Sequence, residues 1–308
     1  MLESKYVRWY FENVIQNKDD TVSMYRIAKI PKKNGKMRTL EIPNRLLACC
    51  QRNIQSDLNA ENTCSLYAAA YQRGKGIKKV VHCHTNKKLL LKLDIKNFFG
   101  SITADLIKEK VFTSDIGFML AELCCCNGHL PQGACTSPVI SNLVMKDFDN
   151  ALGSLCQKHN IQYSRYSDDM IFSGDFNPGW IIREVKELLD RMNMELNYEK
   201  NVIAGRGKRQ LVLGVVVNEK AQLPYEYRRK IRQEVYYCNK YGARDHILRK
   251  NIEKYIKKSA DGKEILSVDT KGYLCSLMGK ISYAIHIDPT NEEMKAYFNA
   301  VKNLQKYT

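Results

Sequence analysis

Two adjacent aspartates, Asp168 and Asp169, stand between two runs of strand character, Gln162–Tyr166 and Met170–Ser173. The segment is therefore expected to form a β-hairpin that carries both carboxylates at its tip. Carboxylates a few ångströms apart repel by about 1 kcal/mol in water and by several in a partly dry cleft, so a rigidly held pair calls for a cation. Hard oxygen donors on a turn suit Mg²⁺, which accepts one or two carboxylates and keeps its remaining places for waters and phosphates. A third acid, Asp94, ends the apolar run Leu89–Leu93, where a strand would finish. Two acids from a hairpin tip and one from a neighbouring strand end can hold two metal ions about 4 Å apart, the arrangement that activates an attacking hydroxyl and stabilises a leaving pyrophosphate. An isolated Asp-Asp pair is most often a solvated turn, so the surrounding segments decide between the two.

Those segments read as elements able to place the acids. Residues 1–20 have the pattern of an amphipathic helix, with Tyr6, Trp9, Tyr10 and Val14 among charges. Met24–Ile30 and Met37–Pro43 flank a Lys-rich turn and predict a basic hairpin. Its cations, Arg38 with Lys36 above all, suit a triphosphate or a template backbone, although most Lys-rich turns are only solvated loops. Leu46, Leu47, Cys50, Ile54 and Leu58 recur at helical spacing between Asn44 and Asn59. Tyr71–Lys79 is a basic segment punctuated by Gly74 and Gly76, in which Arg73 and Lys75 are candidates for a nucleic-acid backbone. Beyond the Asp94 strand come Phe98 and Phe99: Phe98 is expected in the core, and Phe99 beneath the sugar of an incoming nucleotide, where it would exclude a 2′-hydroxyl.

Leu130–Leu143 combines a loop marked by Pro131 and Gly133 with a helix opened by Ser137-Pro138. Its Gln132 and small residues would let backbone approach a nucleotide closely. Ile181–Met192 reads as an amphipathic helix and Val202-Ile203 as a short strand. Lys200, between them, could protonate the leaving pyrophosphate or neutralise its charge. Leu211–Val217 reads as a buried hairpin strand, with Gly214 where a primer strand could pass close to the backbone. From Tyr225 onwards cations interleave with tyrosines on what look like two helices. Arg228, Arg229, Lys230, Arg232, Arg249, Lys250 and Lys254 are the candidates there for tracking nucleic acid. Leu274–Ile287 and Met294–Lys306 predict two closing helices.

Composition points the same way. The 308 residues carry 49 Lys+Arg against 33 Asp+Glu, a formal charge of +16, which favours a polyanionic partner. No 18-residue apolar run and no signal-peptide core is present, so no membrane partner and a cytoplasmic location are expected. The 11 cysteines lie mostly in apolar stretches without the spacing of a disulfide or zinc framework and read as reduced core thiols.

Taken in order, the segments resemble the reverse-transcriptase family over nearly the whole chain. The basic hairpin around Arg38 resembles the fingers motif. Leu93-Asp94-Ile95-Lys96-Asn97-Phe98-Phe99 is similar to the first palm motif, Leu130–Pro138 to Leu-Pro-Gln-Gly-x-x-x-Ser-Pro, and Tyr166-Ser167-Asp168-Asp169 to the second palm motif. The resemblance implies an α+β right-hand polymerase: fingers with an N-terminal helix over 1–90, an antiparallel-sheet palm over 91–220 and a basic helical thumb over 221–308. It implies that Asp94, Asp168 and Asp169, helped by the carbonyl of Ile95, hold two Mg²⁺, that Gln132 and Gly133 line a dNTP pocket, and that Phe99 gates the sugar.

Compact size and the segment Tyr273–Pro289 are most similar to bacterial retron reverse transcriptases. Those enzymes copy part of a structured non-coding RNA into a covalently linked RNA–DNA, the msDNA, used in anti-phage defence with an effector protein. The chain departs from that subclass at Val80-Val81 and at Leu213. A stand-alone defence reverse transcriptase primed by protein or unprimed, and a catalytically silent RNA-binding scaffold, are the competing readings.

Overall fold

The segments Tyr25–Pro31 (β1) and Met37–Pro43 (β2) pair in full antiparallel register from Tyr25 opposite Pro43 to Pro31 opposite Met37. They open a computed structural model that describes residues 24–31, 35, 37–61, 64–114, 116–259 and 264–306. The helix expected within residues 1–20 and the candidate Lys36 lie outside the described residues. By contacts, the chain divides into two compact units: Met1–Val80 with Lys87–Lys208, and Val81–Asn86 with Arg209–Thr308.

In the first unit, β2 leads into α1 (Arg45–Glu61), capped by the Asn44 carboxamide, whose Oδ1 accepts from Leu47 N at 2.9 Å. Of the apolar positions read from the sequence, Leu47, Cys50, Ile54 and Leu58 are buried, whereas Leu46, at the first turn of the helix, is exposed. After α2 (Ile77–Cys83), whose end from Val81 on belongs to the second unit, comes β3 (Leu89–Asp94), then α3 (Phe98–Ser101), α4 (Ala104–Lys110), α5 (Gly117–Cys124), α6 (Ser137–Val144) and α7 (Lys146–Lys158). The hairpin β4 (Gln162–Tyr166) and β5 (Asp169–Gly174) follows, then α8 (Pro178–Asp190) and β6 (Val202–Gly205).

β3 to β6 form one antiparallel sheet in the order β4-β5-β3-β6. Its centre is dry: Leu91 and Leu93 on β3 and Met170, Ile171 and Phe172 on β5 have no exposed surface. The sheet is buttressed by α7 and α8, whose Phe148, Leu152, Cys156, Ile181, Val185 and Leu189 join the same core. Each such apolar side chain contributes about 1.5–3 kcal/mol by leaving water. This core fixes the strand ends that carry the acids.

The second unit begins with β7 (Leu211–Val212) and β8 (Val215–Val216), then α9 (Tyr225–Tyr241), α10 (Ala243–Arg249), β9 (Ile256–Lys258), β10 (Ile265–Val268), α11 (Thr270–Ile287) and α12 (Glu292–Lys306). Ile231, Val235 and Cys238 on α9, Leu274, Leu277 and Ile281 on α11, and Met294 and Val301 on α12 are buried at helical spacing.

The expected hairpin strand Leu211–Val217 contains both arms of a tight hairpin of two-residue strands, because Leu213 (φ 48°) and Gly214 (φ 81°) are both left-handed and reverse the chain. The basic stretch from Tyr225 is two helices only as far as Arg249, after which Ile256–Lys258 pairs with Ile265–Val268. Ion pairs such as Arg209–Glu226 (3.0 Å) and Lys220–Asp288 (2.8 Å) lie within the second unit, as does the hydrogen bond from Asn86 N to Val217 O (2.9 Å). Residues 209–220 therefore belong with the helices that follow them rather than with the sheet.

Candidate active site

The register of the sheet brings the three acids together. Asp94 ends β3 directly opposite Asp169, the first residue of β5, while Ser167 and Asp168 form the turn between Tyr166 and Asp169. Ser167 takes the left-handed conformation (φ 60°) that a two-residue hairpin turn requires. The backbone ties the tip to β3, since Ile95 N donates to Asp168 O at 3.1 Å.

Asp94 is 4% exposed, and its carboxylate is fully engaged: Lys200 Nζ donates to Oδ1 (2.9 Å) and Oδ2 (2.7 Å), and Asn197 Nδ2 to Oδ1 (3.1 Å). Asp168 and Asp169 are half-buried. Burial raises the pKa of Asp168, and the neighbouring Asp94 and Asp169 raise it further. Burial also raises that of Asp169, with Asp94 adding to the shift and Lys92 and Lys200 opposing it. For Lys200, burial is outweighed by its bond to Asp94 and by the other two acids, so its pKa rises and it holds its proton.

No three acidic, His or Cys side chains among the described residues are gathered to grip one ion as they stand. The cation that Asp94 holds is the Lys200 ammonium. Three hard carboxylates, two of them destabilised as anions, nevertheless match the donor chemistry of a divalent cation.

A cavity of about 570 Å³ opens over Asp94 and Asp168, lined also by Phe98, Phe99, Lys200 and, from β2, Arg38. Gln132 also lines it, on a loop held to β2 by the bond from Glu41 N to Gln132 O (2.9 Å). Gly133 sits there at φ +148°, and a Cβ on it would lie 2.6 Å from the Glu41 carbonyl oxygen, so the close approach requires glycine. Phe98 is 4% exposed and packs in the core, its ring 5.5 Å from that of Phe99, which is half-buried and faces the cavity. Both rings line the cavity, Phe98 from its buried side.

Beneath the turn lies a buried polar network that sequence reasoning did not find. Arg165 and Asp149 are both without exposed side-chain surface and pair through Nη2–Oδ2 (2.6 Å), Nε–Oδ1 (2.9 Å) and Nε–Oδ2 (3.1 Å). Asp149 also accepts from the Tyr163 hydroxyl (2.8 Å), and Arg165 Nη2 donates to Asn142 Oδ1 (3.2 Å). Arg165 Nη1 donates to the Ser167 carbonyl (3.0 Å), and its guanidinium lies 5.9 Å from the Phe98 ring. The guanidinium thus holds the strained residue of the acid-bearing turn. Burial alone would lower the Arg165 pKa, but Asp149 more than offsets it. From the cavity side, Tyr71 donates its hydroxyl to Ser167 Oγ at 3.0 Å. The available signal was a charge on an apolar stripe: Asp149 shares its helix face with Leu152 and Cys156.

Other candidates fall elsewhere. Lys75 turns its ammonium onto the carbonyls of Ser65, Leu66 and Ala68 (3.1–3.3 Å), an internal role rather than an exposed cation. Arg73 lines a separate cavity beside Tyr71. In the second unit, Arg229 and Lys230 are exposed, Arg228 donates to Leu223 O (3.1 Å) and Arg232 pairs with Glu293 (3.2 Å). Arg249, Lys250 and Lys254 lie over the rings of Tyr241, Tyr237 and Tyr255 at 4.6, 5.9 and 5.2 Å. Gly214 occupies the β7–β8 turn.

An antiparallel sheet with an acid pair at a hairpin tip and a third acid on the adjoining strand, facing a basic hairpin across a cavity, defines a template-directed polymerase palm with fingers. Residues 30–217 match the family described as reverse transcriptase (RNA-dependent DNA polymerase). The chain belongs to that family and is an RNA-directed DNA polymerase of the retron type. It is 30% identical to the retron Ec83 reverse transcriptase of Escherichia coli, over 92% of this chain and 90% of that protein. It is also 30% identical to the retron Mx65 reverse transcriptase of Myxococcus xanthus, over 69% of this chain and 56% of that one. The fold is similar to that of telomerase from Candida albicans, solved with a fragment of telomeric RNA (TM-score 0.52, 10% identity, 97% of this chain and 66% of that one). Apo telomerase from Candida tropicalis is also similar (TM-score 0.51, 12% identity, 99% of this chain and 61% of that one). No helix among the described residues is long and apolar enough to cross a membrane.

Proposed function

We propose that this chain copies part of a structured non-coding RNA into DNA that stays covalently joined to it, forming msDNA in the bacterial cytoplasm as part of anti-phage defence with a separately encoded effector protein. The observation that carries the retron reading is the similarity to the Ec83 enzyme across nine-tenths of both chains. We assign residues 1–90 to fingers, 91–220 to palm and 221–308 to thumb, with residues 209–220 a hairpin packed on the thumb side of the contact boundary.

In the palm, Asp94, Asp168 and Asp169, with the carbonyl of Ile95, would hold two Mg²⁺. Bound there, divalent ions supply activation of the attacking hydroxyl and charge neutralisation on the leaving pyrophosphate. Arg38 on β2 offers a bidentate donor pair to the triphosphate. Gln132 and Gly133 would bring backbone and carboxamide close to the nucleotide, and Phe99, which lines the same cavity, would exclude a 2′-hydroxyl. Lys200, bonded to Asp94 and with a raised pKa, would hold a proton for the pyrophosphate, while Asp94 would be free to hold a divalent ion only once that bond is given up.

The test is to purify the protein from its native operon and treat the bound nucleic acid with ribonuclease and with deoxyribonuclease. One discrete DNA joined to RNA through a branch is expected. Heterogeneous DNA, or DNA linked to protein, would contradict msDNA synthesis.

A further inference from the structure

The second unit contains a cavity of about 350 Å³ between α9, α10 and α11 that the polymerase chemistry does not use. Its wall is aromatic. The rings of Tyr237 and His246 stack at 5.6 Å with planes 12° apart, His246 lies 5.8 Å from Tyr273, and Tyr255 meets Tyr273 edge-on at 5.4 Å. Burial lowers the His246 pKa against the pull of Glu234, which keeps the imidazole neutral and suited to stacking. The Tyr273 hydroxyl is buried, and the partner beside it is the Cys238 thiol, a weak hydrogen-bonding group.

The rim is cationic. Lys230 and Lys250 line the cavity, Lys250 over the Tyr237 ring, while Lys280 is neutralised by Glu234 at 2.8 Å. Glu234 keeps lone pairs beyond those Lys280 uses and can accept from a base edge. A packing defect in a helical core is apolar and closed; this cavity pairs ring faces with exposed cations and a carboxylate.

We propose that this cavity captures one unpaired nucleotide of an RNA strand, its base against Tyr237, Tyr255 and Tyr273 and its flanking phosphates on Lys230 and Lys250. A fully paired helix offers no splayed base to such a pocket, whereas a bulge or loop does. The volume is within the range of small-ligand sites, roughly 300–1,000 Å³. The inference rests on the reading that this unit binds RNA, and it adds where and how one base is held.

The experiment uses the full chain freed of nucleic acid and four probes: an RNA hairpin with one bulged 2-aminopurine, the same hairpin with a bulged adenosine, the fully paired hairpin, and AMP. Bulged hairpins are expected to bind more tightly than the paired one, with the 2-aminopurine emission quenched. Tyr237→Ala should lose about 5- to 150-fold in affinity for bulged probes only, as stacking is worth ~1–3 kcal/mol per base. Tyr255→Leu provides the same test should Tyr237→Ala fold poorly. Equal affinity for bulged and paired hairpins, or a preference that survives both variants, overturns the pocket while leaving RNA binding intact. AMP binding as tightly as the bulged hairpins overturns the strand as its source. Failure of every hairpin to bind overturns the RNA-binding reading itself.

Discussion

Asp149→Ala should be among the most damaging single substitutions in the first unit, although neither Asp149 nor its partner reaches the cavity. Both side chains of the pair are without solvent exposure, so truncating the acid leaves the Arg165 guanidinium charged and dry, with Asn142 and the Ser167 carbonyl as remaining partners. Breaking a buried pair from one side costs about 3–5 kcal/mol, a large part of the roughly 5–15 kcal/mol that holds a domain folded. At about 2–4 °C per kcal/mol for a domain of this size, the melting temperature should fall by roughly 6–20 °C.

The paired replacement Arg165→Met with Asp149→Asn behaves differently. It removes both charges at once, and the new carboxamide still accepts from the Tyr163 hydroxyl, so stability should return to within about 1–2 kcal/mol of the parent. Nucleotide incorporation should stay depressed by about 10- to 100-fold, because the Ser167 carbonyl has lost the donor that fixes the acid-bearing turn, and misplacement by about 1 Å can cost 10². Urea denaturation followed by circular dichroism and single-turnover incorporation separate the two effects. A singly substituted protein that unfolds like the parent, or a double variant with full incorporation, would refute the reasoning.

Further outcomes follow from other sites. Gly133→Ala should cost about 1–2 kcal/mol and raise the KM for dNTPs, since its Cβ would meet the Glu41 carbonyl at 2.6 Å; unchanged kinetics would count against the loop's place at the nucleotide. Phe99→Val should admit ribonucleotides, seen as a higher ratio of rNTP to dNTP incorporation, with little loss of stability because the ring is half-buried. Asp288 retains a lowered pKa despite burial, through Lys220 and Thr290. Its stabilising effect is therefore present above the unfolded aspartate value of about 3.9 and lost as pH falls through the lower folded value. Asp288→Asn should destabilise at pH 7, and its difference from the parent should close on acidification below that window.

Much of this was legible in the chain because local patterns and tertiary demands agree. The alternation in Met24–Ile30, the apolar stretch before Asp94 and the acid pair between two strand-forming runs each specify one element, and their order specifies the family. Within Leu211–Val217 the hairpin character was legible but not the place of the reversal, since it falls at Leu213-Gly214 and leucine rarely adopts a left-handed conformation. The β9–β10 hairpin was hidden by the helix-like charge density around Lys254–Lys258. Lys75 reads as a surface cation because sequence does not show which carbonyls a long side chain can reach. The Arg165–Asp149 pair depends on a helix and a strand meeting in the core, a juxtaposition that neither periodicity reports.

The most direct test of the central claim is single-turnover dNTP incorporation on a primed RNA template in Mg²⁺, comparing the parent with the near-isosteric Asp94→Asn, Asp168→Asn and Asp169→Asn. The parent should extend the primer, and each variant, still folded, should show no Mg²⁺-dependent extension. Extension by any of the three at the parent's rate would contradict the assignment of these carboxylates as the polymerase centre.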